Sequence, residues 1–142
     1  MPEAPVRSPD DAFFWDGVAE RRLLIQRCTA CGGLRHPPAP MCGDCASLEW
    51  APQEMSGRGV VYSWIESHHP NRPDEPPRIV VLVELAEGVR LVSNLVDVPH
   101  DGPYEDLPVR VDFRPRDDGV LLPCFRVTED EPPPSSTSTR SR

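Results

Sequence analysis

Two Cys-x-x-Cys pairs, Cys28-Thr29-Ala30-Cys31 and Cys42-Gly43-Asp44-Cys45, stand ten residues apart and constrain this chain more than any other feature. Two residues between cysteines let a tight turn aim both thiolates at one ion. Gly32 and Gly43 are expected to supply the positive φ that such knuckles need. The loop His36-Pro37-Pro38-Ala39-Pro40 is stiff and returns the second knuckle to the first. The pattern predicts a structural metal site with Cys28, Cys31, Cys42 and Cys45 as ligands and Zn²⁺ as the cofactor. A four-thiolate iron site shares the spacing. A disulfide framework is a third reading, disfavoured because the N-terminus lacks the basic and then apolar run of a secretory signal. Four thiolates leave a zinc ion no open position for catalysis. They also leave the site a net −2, which Arg27 and Arg35 are expected to offset.

Composition bounds the rest. The 142 residues include 15 basic residues, all arginine, against 23 acidic ones, for a net charge of −8. Five Arg and eight acids lie in residues 1–56, and eight Arg and twelve acids in 57–128, so neither segment is basic. Nonspecific nucleic-acid binding needs a positive face, and membrane crossing needs about 18–20 apolar residues in a run. Neither is present, so no nucleic acid and no membrane are expected as partners, and the expected location is cytoplasmic. Nineteen prolines and nine glycines favour short elements joined by many turns. Residues 1–9 are expected to be loose, and 129–142, without an apolar residue, to form a disordered tail.

Between these ends the pattern predicts a mainly β protein. Asp10 to Glu20 reads as one short helix capped by Ser8 or Asp10, and Leu23 to Arg27 as a strand leading to the first cysteine. Five strands follow at Gly59–Glu66, Arg78–Leu85, Val89–Leu95, Val109–Arg116 and Leu121–Val127, rich in β-branched and aromatic residues. Five antiparallel strands in about seventy residues fit a small closed barrel, of which the OB-fold is the commonest and an SH3-like barrel the alternative. The expected division is helix and ribbon over 10–56 and barrel over 57–128. Cys124, in an apolar strand, is expected to be buried and inert, and His68-His69 to be solvated loop residues. No phosphate loop, nucleophile elbow or His-Glu-x-x-His motif occurs, and no catalytic residue can be nominated.

The order of elements resembles a known family, DUF35, in which a rubredoxin-like zinc ribbon precedes an OB-fold. The resembling residues are Phe13-Phe14-Trp15-Asp16-Gly17, Leu23 through Gly32, Pro37-Pro38, Cys42 to Cys45, Trp50, Ser56-Gly57-Arg58-Gly59-Val60-Val61-Tyr62-Ser63 and Val83 through Gly88. Gly43 stands where the family usually has proline, and the last strand ends Phe125-Arg126-Val127 where F-x-P is usual. The resemblance implies a non-catalytic accessory subunit of an acyl-CoA enzyme complex. Its partner would be a thiolase-fold enzyme (thiolase or retro-aldolase, including those of steroid side-chain degradation) or a MaoC-type hydratase, and its ligand a CoA thioester. Arg72, Arg78 and Arg90, in or beside the long barrel loops, are then candidates to contact CoA phosphates. Phe13, Phe14 and Trp15 are candidate interface anchors. The alternative is a zinc-ribbon and OB-fold binder of single-stranded nucleic acid, with Tyr62, Trp64 and Phe113 stacking bases.

Overall fold

The computed structural model describes residues 9–116 and 118–129. Nearly all of the two expected loose ends therefore lies outside the described residues. One helix and eight strands follow in chain order: α1 (Ala12–Ala19), β1 (Leu24–Cys28), β2 (Leu34–Arg35), β3 (Trp50–Glu54), β4 (Arg58–Ser67), β5 (Arg78–Leu85), β6 (Arg90–Val96), β7 (Pro108–Pro115) and β8 (Leu121–Val127). The described residues divide between two compact units, those up to 56 with those of 113–122, and those of 57–112 with those from 123 onward.

In the first unit, α1 is shorter than expected and begins after Asp11, which makes no side-chain cap bond. Its end is sharply defined. Arg21 takes a φ of 60°, Arg22 N–H donates to Gly17 O and Arg21 N–H to Val18 O, the paired bonds of a Schellman stop with arginine where glycine is usual. Arg21 Nη1 then donates to Phe113 O at 2.9 Å. The helix buries Phe14 and Val18 and crosses at Gly17, where an added Cβ would meet Leu24 at 2.8 Å. Beside it lies a three-stranded antiparallel sheet in the order β2-β1-β3. Central β1 buries Ile25, Gln26 and Cys28, and has partners along both edges. Strands β2 and β3 were not expected. The first has two residues, and the second carries Pro52 on a sheet edge, where a missing N–H is tolerated.

The second unit carries a closed five-stranded barrel, β4-β5-β6-β8-β7, with β7 returning to β4. The fifth barrel strand lies between the third and the fourth, the Greek-key order of an OB-fold. The β6–β8 pair is parallel, which corrects the all-antiparallel expectation; its ladder is short, Leu95↔Phe125 and Val96↔Arg126, and Ser93 Oγ adds a bond to Pro123 O. Period-2 alternation turns Ile79, Val81, Val83, Leu85, Leu91 and Leu95 inward. A bulge at Tyr62 interrupts the β4–β5 register between Val61 and Ser63.

The Ser56-Gly57-Arg58-Gly59 segment, which leads into β4, is the seam of the barrel. Gly57 has a φ of 83° and packs on Val111, and Gly59 pairs with Leu85 on one side and Val109 on the other. A Cβ at 59 would lie 2.5 Å from the backbone oxygen of Glu84 and 2.9 Å from Val83 Cγ1. Backbone cannot yield as a flexible side chain does. Gly59→Ala is therefore expected to destabilise the barrel by about 2–3 kcal/mol, although alanine relieves the entropy cost of glycine. Urea unfolding followed by tryptophan fluorescence checks this, and an unchanged midpoint would contradict it.

Candidate metal centre

The two knuckles repeat one backbone pattern. In the first, Gly32 N–H donates to Cys28 O and Cys28 N–H to Gly33 O, both at 2.8 Å; in the second, Ala46 N–H donates to Cys42 O and Cys42 N–H to Ser47 O, both at 2.9 Å. Each bond links the same offsets from the leading cysteine, so the turns are superposable in pattern. The positive φ falls at the residue four after it, Gly32 at 80° and Ala46 at 65°. Gly43 has no positive φ. The expected role of Gly43 is thus corrected: the strained position of the second knuckle belongs to Ala46.

This geometry converges four sulfurs. Cys28 Sγ lies 3.5 Å from Cys45 Sγ, Cys31 Sγ lies 3.6 Å from Cys42 Sγ, and all four lie within 4.8 Å of one another. Four sulfurs about 2.3 Å from a tetrahedral zinc are about 3.8 Å apart. The donor set and spacing therefore fit a closed Zn(Cys)₄ site. Cys28 and Cys42 are buried, Cys31 and Cys45 exposed. Backbone donors meet the two buried sulfurs, Cys31 N–H at Cys28 and Asp44 N–H at Cys42.

Those donors polarise the quartet. The Cys31 backbone amide above all holds the Cys28 thiol down to about 6, and the Asp44 amide lowers Cys42. At Cys45 the Ser47 amide favours the thiolate, but the neighbouring sulfurs, Cys28 first, and burial push it up to about 12. At Cys31 the Gly33 amide is likewise outweighed by Cys42 and Cys28, and the thiol titrates above its usual range. The backbone amides thus favour the thiolate at the buried member of each knuckle, while at the exposed member the neighbouring sulfurs oppose it. Arg35, expected to offset the charge of the site, is tied to the loop that leads to the second knuckle. Its Nε and Nη2 both donate to Ala39 O, at 3.2 and 2.9 Å.

The arginine candidates do not form one cluster. Arg78 opens β5 opposite Ser67, whereas Arg90 opens β6 opposite Glu84, six residues further along β5 or roughly 20 Å away. Arg72 lies in the β4–β5 loop, paired with Glu75 at 3.2 Å. Arg90 pairs at 3.2 Å with the buried carboxylate of Glu84 and lies 3.8 Å over the Tyr62 ring. Among the aromatic candidates, Phe14 is 6% exposed and belongs to the core of its unit. Phe13 and Trp15 are half-buried, against Trp50 and Phe14 respectively. Cys124 is buried, its Sγ 3.5 Å from Asp112 O, and His68 and His69 are exposed.

A four-cysteine ribbon joined to a closed OB barrel defines a two-module protein with a metal-ready structural site. Residues 15–51 match the family model of the ChsH2 rubredoxin-like zinc ribbon domain, and residues 52–114 that of the ChsH2 C-terminal OB-fold domain. A DUF35 domain-containing scaffold protein of Methanocaldococcus jannaschii is 31% identical over 75% of this chain and 82% of its own length. The chain belongs to the DUF35 family. The 3-oxo-4,17-pregnadiene-20-carboxyl-CoA hydratase alpha subunit of Mycobacterium tuberculosis is 41% identical over 77% of this chain. The chain spans less than two fifths of the length of the hydratase alpha subunits it matches. A solved Ltp2-ChsH2(DUF35) aldolase contains a chain 46% identical to this one, with a TM-score of 0.80, 87% of this chain covered and 98% of that one.

Two measurements follow from the site. Elemental analysis is expected to find about one zinc per chain, and Cys31→Ser to leave the ribbon unfolded, since such an ion supplies on the order of 10–16 kcal/mol of apparent folding energy. A colourless, metal-free and fully folded preparation would contradict this, and a red one would assign iron. Ala46→Gly is expected to raise the thermal stability of the loaded ribbon by about 0.5–1 kcal/mol, and Gly32→Ala to lower it by about 1 kcal/mol. Equal effects of the two would contradict the placement of the strained position.

Proposed function

We propose that this chain is a non-catalytic accessory component of an acyl-CoA enzyme complex, positioning a CoA thioester for a thiolase-fold aldolase or thiolase, or for a MaoC-type hydratase. The observation that carries the reading is the 98% coverage of the ChsH2 chain in the Ltp2-ChsH2 aldolase at a TM-score of 0.80. The hydratase relatives support an acyl-CoA substrate, and the pregnadiene name of one supports a steroid-derived acyl group. The site chemistry agrees, because a Zn(Cys)₄ centre has no position for substrate.

Within this reading, Arg72 and Arg78 contact the phosphates of CoA, and Phe13 and Trp15 face the catalytic subunit. Arg90 is left out because Glu84 and Tyr62 hold it. The nucleic-acid reading loses its stacking platform: Tyr62 lies under Arg90, Trp64 packs edge-on against Tyr104, and Phe113 is 8% exposed.

Co-expression with an Ltp2-type aldolase subunit, and separately with a MaoC-type hydratase subunit, tests the proposal. The expected outcome is a stable complex with one of them and acyl-CoA turnover only in that complex. Phe13→Ala with Trp15→Ala is expected to weaken assembly, and Arg72→Ala with Arg78→Ala to weaken CoA-thioester binding by about tenfold in a salt-sensitive way. Turnover by the isolated chain at ~1 s⁻¹ or above, or failure to bind either subunit, would overturn the reading.

A further inference from the structure

Between β2 and the second knuckle, residues 36–41 form no helix or strand, yet one of them is held by two side chains. Gln26 Nε2 donates to Ala39 O at 2.9 Å, and Ala39 N–H donates to Gln26 Oε1 at 2.8 Å. A primary amide thus pairs with a backbone peptide at both its donor and its acceptor, as a neighbouring strand would. Arg35 adds its two bonds to the same carbonyl. Gln26 is 1% exposed, so neither half of its amide has water as an alternative partner.

The position of Gln26 gives this pairing a consequence for the metal. Gln26 and Cys28 stand two residues apart on β1 and share one face of that strand. Ala39 precedes Cys42 by three residues. The strand that presents the first sulfur therefore also grips the loop that delivers the third, and β2, through Arg35, grips it from the next strand. Pro37, Pro38 and Pro40 remove N–H groups on either side and make Ala39 the one residue between His36 and Met41 whose backbone has both a donor and an acceptor to offer.

We propose that Gln26, assisted by Arg35, is a positioning residue for the metal centre: its amide fixes Ala39 so that the second knuckle is held in reach of the first before the ion arrives, and slows release of the ion afterwards. The proposal rests on the ribbon holding a metal.

The test uses the full chain loaded with zinc, and measures zinc release to a chromogenic chelator together with thermal unfolding. Gln26→Leu keeps the volume and removes both bonds; release is expected to quicken about tenfold or more. Arg35→Met keeps the apolar stem, leaves the Gln26 pairing intact, and is expected to show a smaller increase in the same direction. Val18→Ala is the control, because it opens a cavity under α1 in the same unit and removes none of the hydrogen bonds to Ala39. Its release rate is expected to stay within twofold of wild type even though its melting temperature falls. Wild-type release rates in both Gln26→Leu and Arg35→Met would overturn the clamp while leaving the metal centre standing. Equal acceleration by Val18→Ala would reduce Gln26 to a stability effect and overturn it as well. If Gln26→Leu does not fold, Arg35→Met against Val18→Ala decides alone. A wild-type chain that takes up no metal would overturn the metal reading and the clamp with it.

Discussion

Four cysteine sulfurs held within 4.8 Å of one another set the terms for the N-terminal unit. Two unit negative charges about 3.5 Å apart repel by roughly 5 kcal/mol even at an effective dielectric near 20. Four such charges share six pairwise repulsions, far more than a small unit can absorb from its apolar contacts. Protonation removes the repulsion by removing the charges, whereas a divalent cation keeps the thiolates and reverses the sign of the sum. The split within each knuckle expresses this conflict, with the buried thiols pulled down by backbone amides and the exposed thiols pushed up by their neighbours. The amides and the positive φ values are thus arranged for an ionised quartet.

The barrel depends on a different constraint, the closeness of backbones at its seam. β4 must pair with β5 along its length and with β7 at its start, so its first residues have strands on both sides. Gly57 and Gly59 let those strands approach to distances at which a Cβ would meet backbone or a branched side chain. The Ser-Gly-x-Gly pattern is for this reason a structural signature of closure. Its value for identifying the family lies in how few residue types the seam accepts.

Much of this architecture was legible in the chain. The cysteine spacing located the metal centre because ligand geometry is a local property, and β5 and β8 fall on the expected residues because their apolar character is dense. Strand β3 was not legible: Trp50-Ala51-Pro52-Gln53-Glu54 has neither alternation nor propensity, and forms because Leu24 through Cys28 offer it an edge. The parallel β6–β8 pair rests on two register positions far apart in sequence, which no local pattern announces. Ala46 hid its strained φ because alanine carries no turn signal, and Gly43 drew the assignment by composition alone. Gln26 was silent for a similar reason. A glutamine in an apolar strand marks a buried amide only once the loop that it grips is in place.

The same distinction between local and non-local information separates the arginines. Arg72 and Arg78 lie in and beside the long β4–β5 connection, but Arg90, expected beside a long loop as well, follows the short turn of residues 86–89 at the far end of β5. There it neutralises a carboxylate whose side chain is 2% exposed, while Arg90 itself keeps 40%. Withdrawing Arg90 takes a charged partner from that buried carboxylate, so Arg90 serves the fold before it serves any ligand. The Arg72–Glu75 pair is the opposite case, with both side chains more than half exposed. A pair of that kind contributes about 0–1 kcal/mol and exchanges readily for a doubly charged phosphate. For a CoA-positioning role, the usable guanidinium groups are those that the fold does not already need, and they lie at the Arg72–Arg78 end of the barrel.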